Sequence, residues 1–423
     1  MKKIFLFFLS FFLLIFGISS CSRNPQTVLL EQLEEEMPYL LEHYRTNPID
    51  HHTQQAISNF STQLFREMLQ EDTKNPVFSP FSAYLSLTMA SLGAHTDTRS
   101  DFREVLGAEP AALAVSFHDL ALSLEDNPQH FTSQIAASVW LDQNFTPAED
   151  FSAWMQAYFR APVELHDFSA AETLDAAEHW LIANNPALAD TVFDAAHLSE
   201  SSLFLLSTLD LSAGWTDVLR PISLVEDSFT AEDGRTSEIT FLETAPHKIS
   251  TIQTNVLQAA LLPFADEQLG LLLLSSLDEE VPLRTLIAEK DFRDILPMLS
   301  SQGDTKVRLP LLDETFHADF SVPLQNMRLS DPFHPRLADL SGLVRLEDTA
   351  EEEEEEQKLI LSGVLQQIRF VLDKDGIAYA PHPTVEVSER EISDNTLTFG
   401  QPFWYIVYDF SLEIPLIMGV FEG

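Results

Sequence analysis

Few residues of this 423-residue chain have a type and spacing that can do chemistry on their own. There is one cysteine, Cys21, so no intrachain disulfide and no cysteine-based zinc site can form. The histidines, including the adjacent His51 and His52, show no metal-ligand spacing. Residues 351–356 are six consecutive glutamates. They lack the turn glycine and the spacing of a calcium loop. Such a run repels itself and is expected to be a solvated loop. The chain has no GxSxG elbow, no Walker loop, no GxGxxG and no HExxH. The expectation is therefore no enzyme, no metal and no cofactor. What remains is a polar stretch, residues 376–401, between two apolar runs. A loop of about 25 residues inside a compact domain is uncommon and is usually functional or disordered.

Charge narrows the partners. Acidic residues number 66 against 24 basic, a formal net charge of -42. Nucleic acid is excluded as a partner, because phosphate contacts need clustered Lys and Arg. A bare anionic membrane surface would repel the chain as well. Hydrophobic residues at 45% and charged residues at 21% are those of an ordinary globular protein.

The elements that must position the long loop follow from periodicity. Ile57, Phe60, Leu64, Phe65 and Met68 recur at helical spacing. A turn is expected at Lys74-Asn75-Pro76, then a mostly apolar helix over residues 83–92 that Gly93 stops, and a further helix ending at Gly107. Short apolar runs predict buried strands at 135–141, 203–209, 256–262, 269–274, 368–372, 404–408 and 416–420. Helices first and strands later argue α+β.

The N-terminus is expected to be an address. Lys2 and Lys3 precede an apolar run from residue 4 to 18, short for a membrane span of about 20 residues. Ile18-Ser19-Ser20-Cys21 resembles the bacterial lipoprotein box. That resemblance implies cleavage before Cys21 and lipidation of it, placing an exported protein on a bacterial membrane or cell surface through a lipid anchor. Residues 1–20 are then a signal peptide, 21–53 an acidic tether with one helical patch over 29–41, and 54–423 one folded domain.

Within that domain a family pattern emerges. Asn75-Pro-Val-Phe-Ser-Pro-Phe-Ser82, Leu92-Gly93-Ala94, Trp180-Leu181, Gly214-Trp215, Ala260-Leu-Leu-Pro-Phe264, Leu309-Pro310 and Ala338-Asp-Leu-Ser-Gly342 follow in order. Val371-Leu372-Asp373, Gly376, Gln401-Pro402-Phe403 and Met418-Gly419-Val420 complete it. The series resembles the serpins. That resemblance implies an α+β fold of three β-sheets and about nine helices, with an exposed reactive-centre loop after Gly376. It also implies a monomer that acts as a suicide substrate. A serine protease, or in part of the family a cysteine protease, attacks the loop and is trapped as the cleaved loop inserts as a new central strand.

The resemblance assigns residues. Gly376 opens the hinge, and the scissile bond fourteen residues on is Arg390–Glu391, which implies a trypsin-like protease. Ser79, Ser82, Ser207 and Gln366 fall in the shutter cluster beneath the sheet's opening region, and Trp215 in the breach above it. Ser207 and Gln366 stand where the family usually has asparagine and histidine, and Lys374 where it usually has an acid. The hinge itself departs from the small residues that insertion favours. With period two, Ile377, Tyr379, Pro381 and Pro383 share the inward face. Tyr379 overpacks a small-residue site by roughly 1–3 kcal/mol, and proline is nearly excluded from central strands. The alternative expectation is thus a non-inhibitory serpin, a binding or structural protein that proteases cut without being trapped.

Overall fold

A computed structural model describes residues 51–71, 73–125, 131–191, 201–220, 222–265, 267–278, 280–301, 303–345, 358–377 and 395–423. The apolar runs become strands with strands on both sides. The run at Leu269–Ser276 (β9) lies between Leu257–Pro263 (β8) and Phe403–Asp409 (β15), and every residue of β15 is buried. With Val77–Phe78 (β1), Ser250–Gln253 (β7) and Ile414–Phe421 (β16) they form a six-stranded sheet in the order β1-β16-β15-β9-β8-β7. A second sheet contains Phe131–Asp142 (β2), Val163–His166 (β3), Leu203–Gly214 (β4), Leu312–Asp319 (β11), Leu361–Leu372 (β12) and Gly376–Ile377 (β13). Its order is β11-β12-β13-β4-β2-β3, and we call it the central sheet. A third, four-stranded sheet joins Ser223–Thr230 (β5), Thr236–Glu243 (β6), Lys306–Pro310 (β10) and Thr396–Thr398 (β14) in the order β14-β10-β6-β5.

Nine α-helices lie among the described residues. They are α1 His51–Met68, α2 Pro80–Ser91, α3 Thr96–Leu106, α4 Pro110–Glu125, α5 Glu149–Trp154, α6 Glu172–Asn184, α7 Leu283–Glu289, α8 Phe292–Ile295 and α9 Ser321–Asn326. The three sheets and nine helices match the architecture expected from the sequence. Helix α1 is already helical at His51, the first described residue and ahead of the first apolar-periodic residues. Helix α2 is buried at every position, including Ser82, Ser86, Thr88 and Ser91, which explains why it shows no polar stripe. Its hydroxyls donate back to the preceding turn, Ser86 to Ser82 O and Thr88 to Tyr84 O.

Two of the sequence blocks meet in space. His95 N donates to Asp339 O, and Gly342 N to Gly93 O, each at 3.0 Å. A Cβ on Gly93 would lie 2.3 Å from Leu343 Cδ2, so only glycine lets this pair close. Strand β12 starts at Leu361, well before the predicted 368. Gly363, Gln366 and Gln367 break its apolar pattern, yet both glutamines are buried.

Candidate functional site

Strands β4 and β12 run parallel at the heart of the central sheet, and their pairing is interrupted. They pair directly from Leu361↔Leu203 to Gln366↔Ser207. At that last pair side chains cross between three elements. Gln366 Nε2 donates to Ser79 O at 3.0 Å and to Ser207 Oγ at 3.3 Å, and Gln366 Oε1 accepts from Ser79 N at 2.7 Å. Ser79 also caps α2, its Oγ accepting from Ser82 N at 3.1 Å and from Ser82 Oγ at 3.0 Å. All four side chains are buried. Glutamine therefore serves both main-chain groups of Ser79, which burial would otherwise leave unpaired. Gln366→Ala orphans that N–H and C=O, at a cost of about 2–4 kcal/mol. The expected result in calorimetry is a midpoint several degrees lower, and an unchanged midpoint would remove the cluster's structural role.

Above the cluster the strands lose each other. Among the described residues pairing resumes through β13, where Ile377 faces Ala213 on one side and Leu372 on the other. In between, the edges of β4 (208–212) and β12 (367–371) share no strand hydrogen bonds. Side chains stand in for a strand there. Thr208 Oγ1 donates across the gap to Gln367 O at 2.8 Å. Asn185, just past α6, donates to Leu209 O at 3.1 Å and to Thr208 Oγ1 at 2.9 Å. Gln367 Nε2 donates to Thr191 Oγ1 at 2.9 Å. Among the described residues this leaves a slot for one more strand, bridged by single side chains.

The top of the slot is a tight turn. Asp373 Oδ1 accepts from Asp375 N at 2.7 Å and from Gly376 N at 3.2 Å. Trp215 holds the turn, donating from Nε1 to Asp373 O at 2.8 Å and from its main-chain N to Asp375 O at 3.1 Å. Its ring stacks on Phe264 at 4.8 Å between centroids. Gly376 sits at φ +133°, and a Cβ there would lie 2.0 Å from Ala213 O. Ile377 follows with 3% exposure, its side chain in the main core. Lys374 pairs at 2.8 Å with its own neighbour Asp375, a half-exposed contact of little energetic weight.

The far end of the loop is fixed by charge. Strand β14 runs parallel to β10, with Lys306 N donating to Asn395 O at 3.0 Å and Phe399 N to Arg308 O at 2.9 Å. Beneath this pair Arg308 contacts Glu243 through Nε and Asp227 through Nη1 at 3.2 Å. Lys306 Nζ lies 3.1 Å from the other Glu243 oxygen.

Of the residues singled out in the sequence, Ser79, Ser82, Ser207 and Gln366 thus meet in one cluster, and Trp215, Gly376 and Ile377 in another, with Lys374 on the turn beside it. Tyr379, Pro381, Pro383, Arg390, Glu391 and Cys21 lie outside the described residues. Asn185, Thr191, Thr208, Gln367 and Asp373 belong to the same site and were not foreseen. Thr208 did carry a signal, as a polar residue inside an expected buried strand.

A family model described as Serpin (serine protease inhibitor) matches residues 55–422. Bovine (Bos taurus) alpha-2-antiplasmin is 25% identical over 371 residues, covering 86% of this chain and 70% of that protein. Plasminogen activator inhibitor 1 of Sus scrofa is 21% identical over 377 residues, covering 86% and 90%. The native crystal structure of the thermophilic serpin Tengpin superposes with a TM-score of 0.75 at 22% identity, covering 89% of this chain and 95% of that one. These matches correct the flat negative drawn from the missing catalytic motifs. The family is one of inhibitors, so a search for catalytic machinery was the wrong test of a role in protease chemistry. The interrupted central sheet, the seated hinge glycine and the match over nearly the whole folded chain agree, and the chain belongs to the serpin (serine protease inhibitor) family.

Proposed function

We propose that this protein inhibits a trypsin-like serine protease as a suicide substrate. The observation that carries the reading is the slot between β4 and β12 with Gly376 and Ile377 already paired at its top. A loop cut beyond this point is tethered where insertion must begin. The reactive bond in this reading is Arg390–Glu391, and arginine there favours an acidic specificity pocket. A cysteine protease is the secondary target class. No cofactor is invoked, and the inhibitor acts as a monomer. Residues 1–20 are an export signal, Cys21 carries the lipid, residues 21–53 are the tether and 54–423 the inhibitory body, held at a bacterial membrane or cell surface.

A second reading has its own support. Tyr379, Pro381 and Pro383 follow Ile377 in the segment that must insert. Each proline forfeits a ladder N–H, and an unpaired buried carbonyl costs about 1–3 kcal/mol. Slow insertion favours hydrolysis and escape of the protease, giving a protein that is cut without trapping.

Mixing the purified protein with a slight deficit of trypsin separates the readings. Inhibition yields an SDS-stable complex near the summed mass, absent for Arg390→Ala. Cleavage with neither complex nor a rise in unfolding midpoint favours the non-inhibitory reading. A raised midpoint without a complex means that insertion is too slow for trypsin. Mass spectrometry of the exported protein checks the lipid on Cys21.

A further inference from the structure

Helix α1 is an exception in charge. Acids number 66 in the chain, yet none lies between His51 and Arg66. From residue 51 to 63 its exposed side chains are His51, His52, Gln55, Asn59 and Gln63. The four-residue spacing sets them along one side of the helix.

Contacts fix where this stripe sits. Phe65 stacks on Trp404, near the start of β15, at 5.6 Å between centroids. Ser58 Oγ donates to Glu413 O at 3.1 Å, in the turn that joins β15 to β16. The helix therefore runs along β15 toward that turn, and the residues before Ser58 carry it about 10 Å further. Phe410, in the same turn, is 37% exposed with its ring against Tyr408. The acids nearby are mostly spoken for. Asp409 is buried and accepts from Ser411 N and Leu412 N, and Asp291 pairs with Arg293, which also donates to Asn59. Glu413 is the exposed acid of the turn.

The reactive loop is attached at the other end of β15. Strand β14 ends at Thr398, shortly before β15 begins at Phe403. The 7 residues of β15, at about 3.4 Å each, put that attachment roughly 20 Å from the turn.

We propose that this end of the molecule, His51, His52 and Gln55 of α1 with Phe410, rests on the phospholipid bilayer that holds the anchor. The proposal rests on the lipid-anchor reading above and adds to it the surface that meets the membrane. The chain from Cys21 reaches the folded body at α1, so the anchor draws this end down first. Anionic headgroups repel so acidic a body, and the end poorest in acids approaches with least cost. Phe410 offers an aromatic ring to the headgroup boundary, where such side chains settle. The reactive loop then faces away, well beyond a Debye length of about 8 Å from the surface, where proteases reach it from solution.

The test couples the chain from Cys21 on, through that sole cysteine, to a maleimide lipid in phosphatidylcholine vesicles. Headgroup-spin-labelled lipid is the quencher. Phe410→Trp is compared with Val218→Trp, a position 45% exposed just past Trp215 at the loop end. Quenching of the added tryptophan at 410 should be at least about threefold that at 218. In the unaltered chain, coupling should slow diethyl pyrocarbonate modification of His51 and His52 by about threefold or more relative to His179, exposed on α6. Equal quenching at both positions, or equal slowing at all three histidines, overturns the proposal and leaves the anchor reading standing. Mass spectrometry of the exported protein tests that reading separately, and an unlipidated Cys21 overturns both.

Discussion

Gly376→Val is expected to expel the hinge from the central sheet and to lower the unfolding midpoint by several degrees. The backbone at φ +133° belongs to glycine, and side chains forced into such regions cost about 1–3 kcal/mol. The clash adds to this, because the new Cβ would meet Ala213 O at 2.0 Å and Gly214 Cα at 2.9 Å. Neither neighbour can yield, since both are backbone of a central strand. The chain must therefore leave, and Ile377 loses its place in the core. Trp215 reports the event, because its ring and main-chain N–H both contact the turn that carries Gly376. A shift of tryptophan emission and faster exchange at Ile377 should accompany the lower midpoint. An unchanged midpoint and unchanged exchange would mean that the hinge is not held by this seat.

Arg308→Met should be of similar size for a different reason. The guanidinium serves Glu243 and Asp227, and Glu243 is 4% exposed. Removing it leaves Glu243 with Lys306 alone in a buried setting. Breaking a buried charge cluster from one side costs about 3–5 kcal/mol. Arg308→Met combined with Asp227→Asn should recover part of the loss, because Glu243 and Lys306 then balance each other. Calorimetry of the two variants measures this. A double variant no more stable than the single one would place the effect in lost packing rather than in charge.

What the sequence made legible was the apolar skeleton. The runs at 269–274, 404–408 and 416–420 became strands because nothing polar interrupts them. Asn75 was readable as a turn and adopts φ +49°. The first half of β12 was not readable, because buried Gln366 and Gln367 look like surface residues until their partners Ser79 and Thr191 are known. The hairpin of β5 and β6 was missed although Asp233-Gly234 marks its turn, with Gly234 at φ +82°. The hinge glycine and the shutter serines were found only through family resemblance. Their meaning lies in contacts across 287 residues of sequence, as between Ser79 and Gln366, which no local pattern encodes.

The two-residue strand β13 is small, but it changes the kind of process that loop insertion is. It runs antiparallel to both β4 and β12, which are parallel to each other. Lengthening it replaces a sparse bridge of side chains by two antiparallel ladders, the more stable arrangement per residue. The turn at Asp373–Gly376 is already closed, and closing a loop is the step that entropy opposes most. In the inhibitory reading proposed above, insertion is thus growth from an existing seed, with no nucleus left to form. In that reading the seed advances only as Thr208, Asn185 and Gln367 let go in turn, and Tyr379, Pro381 and Pro383 must follow it.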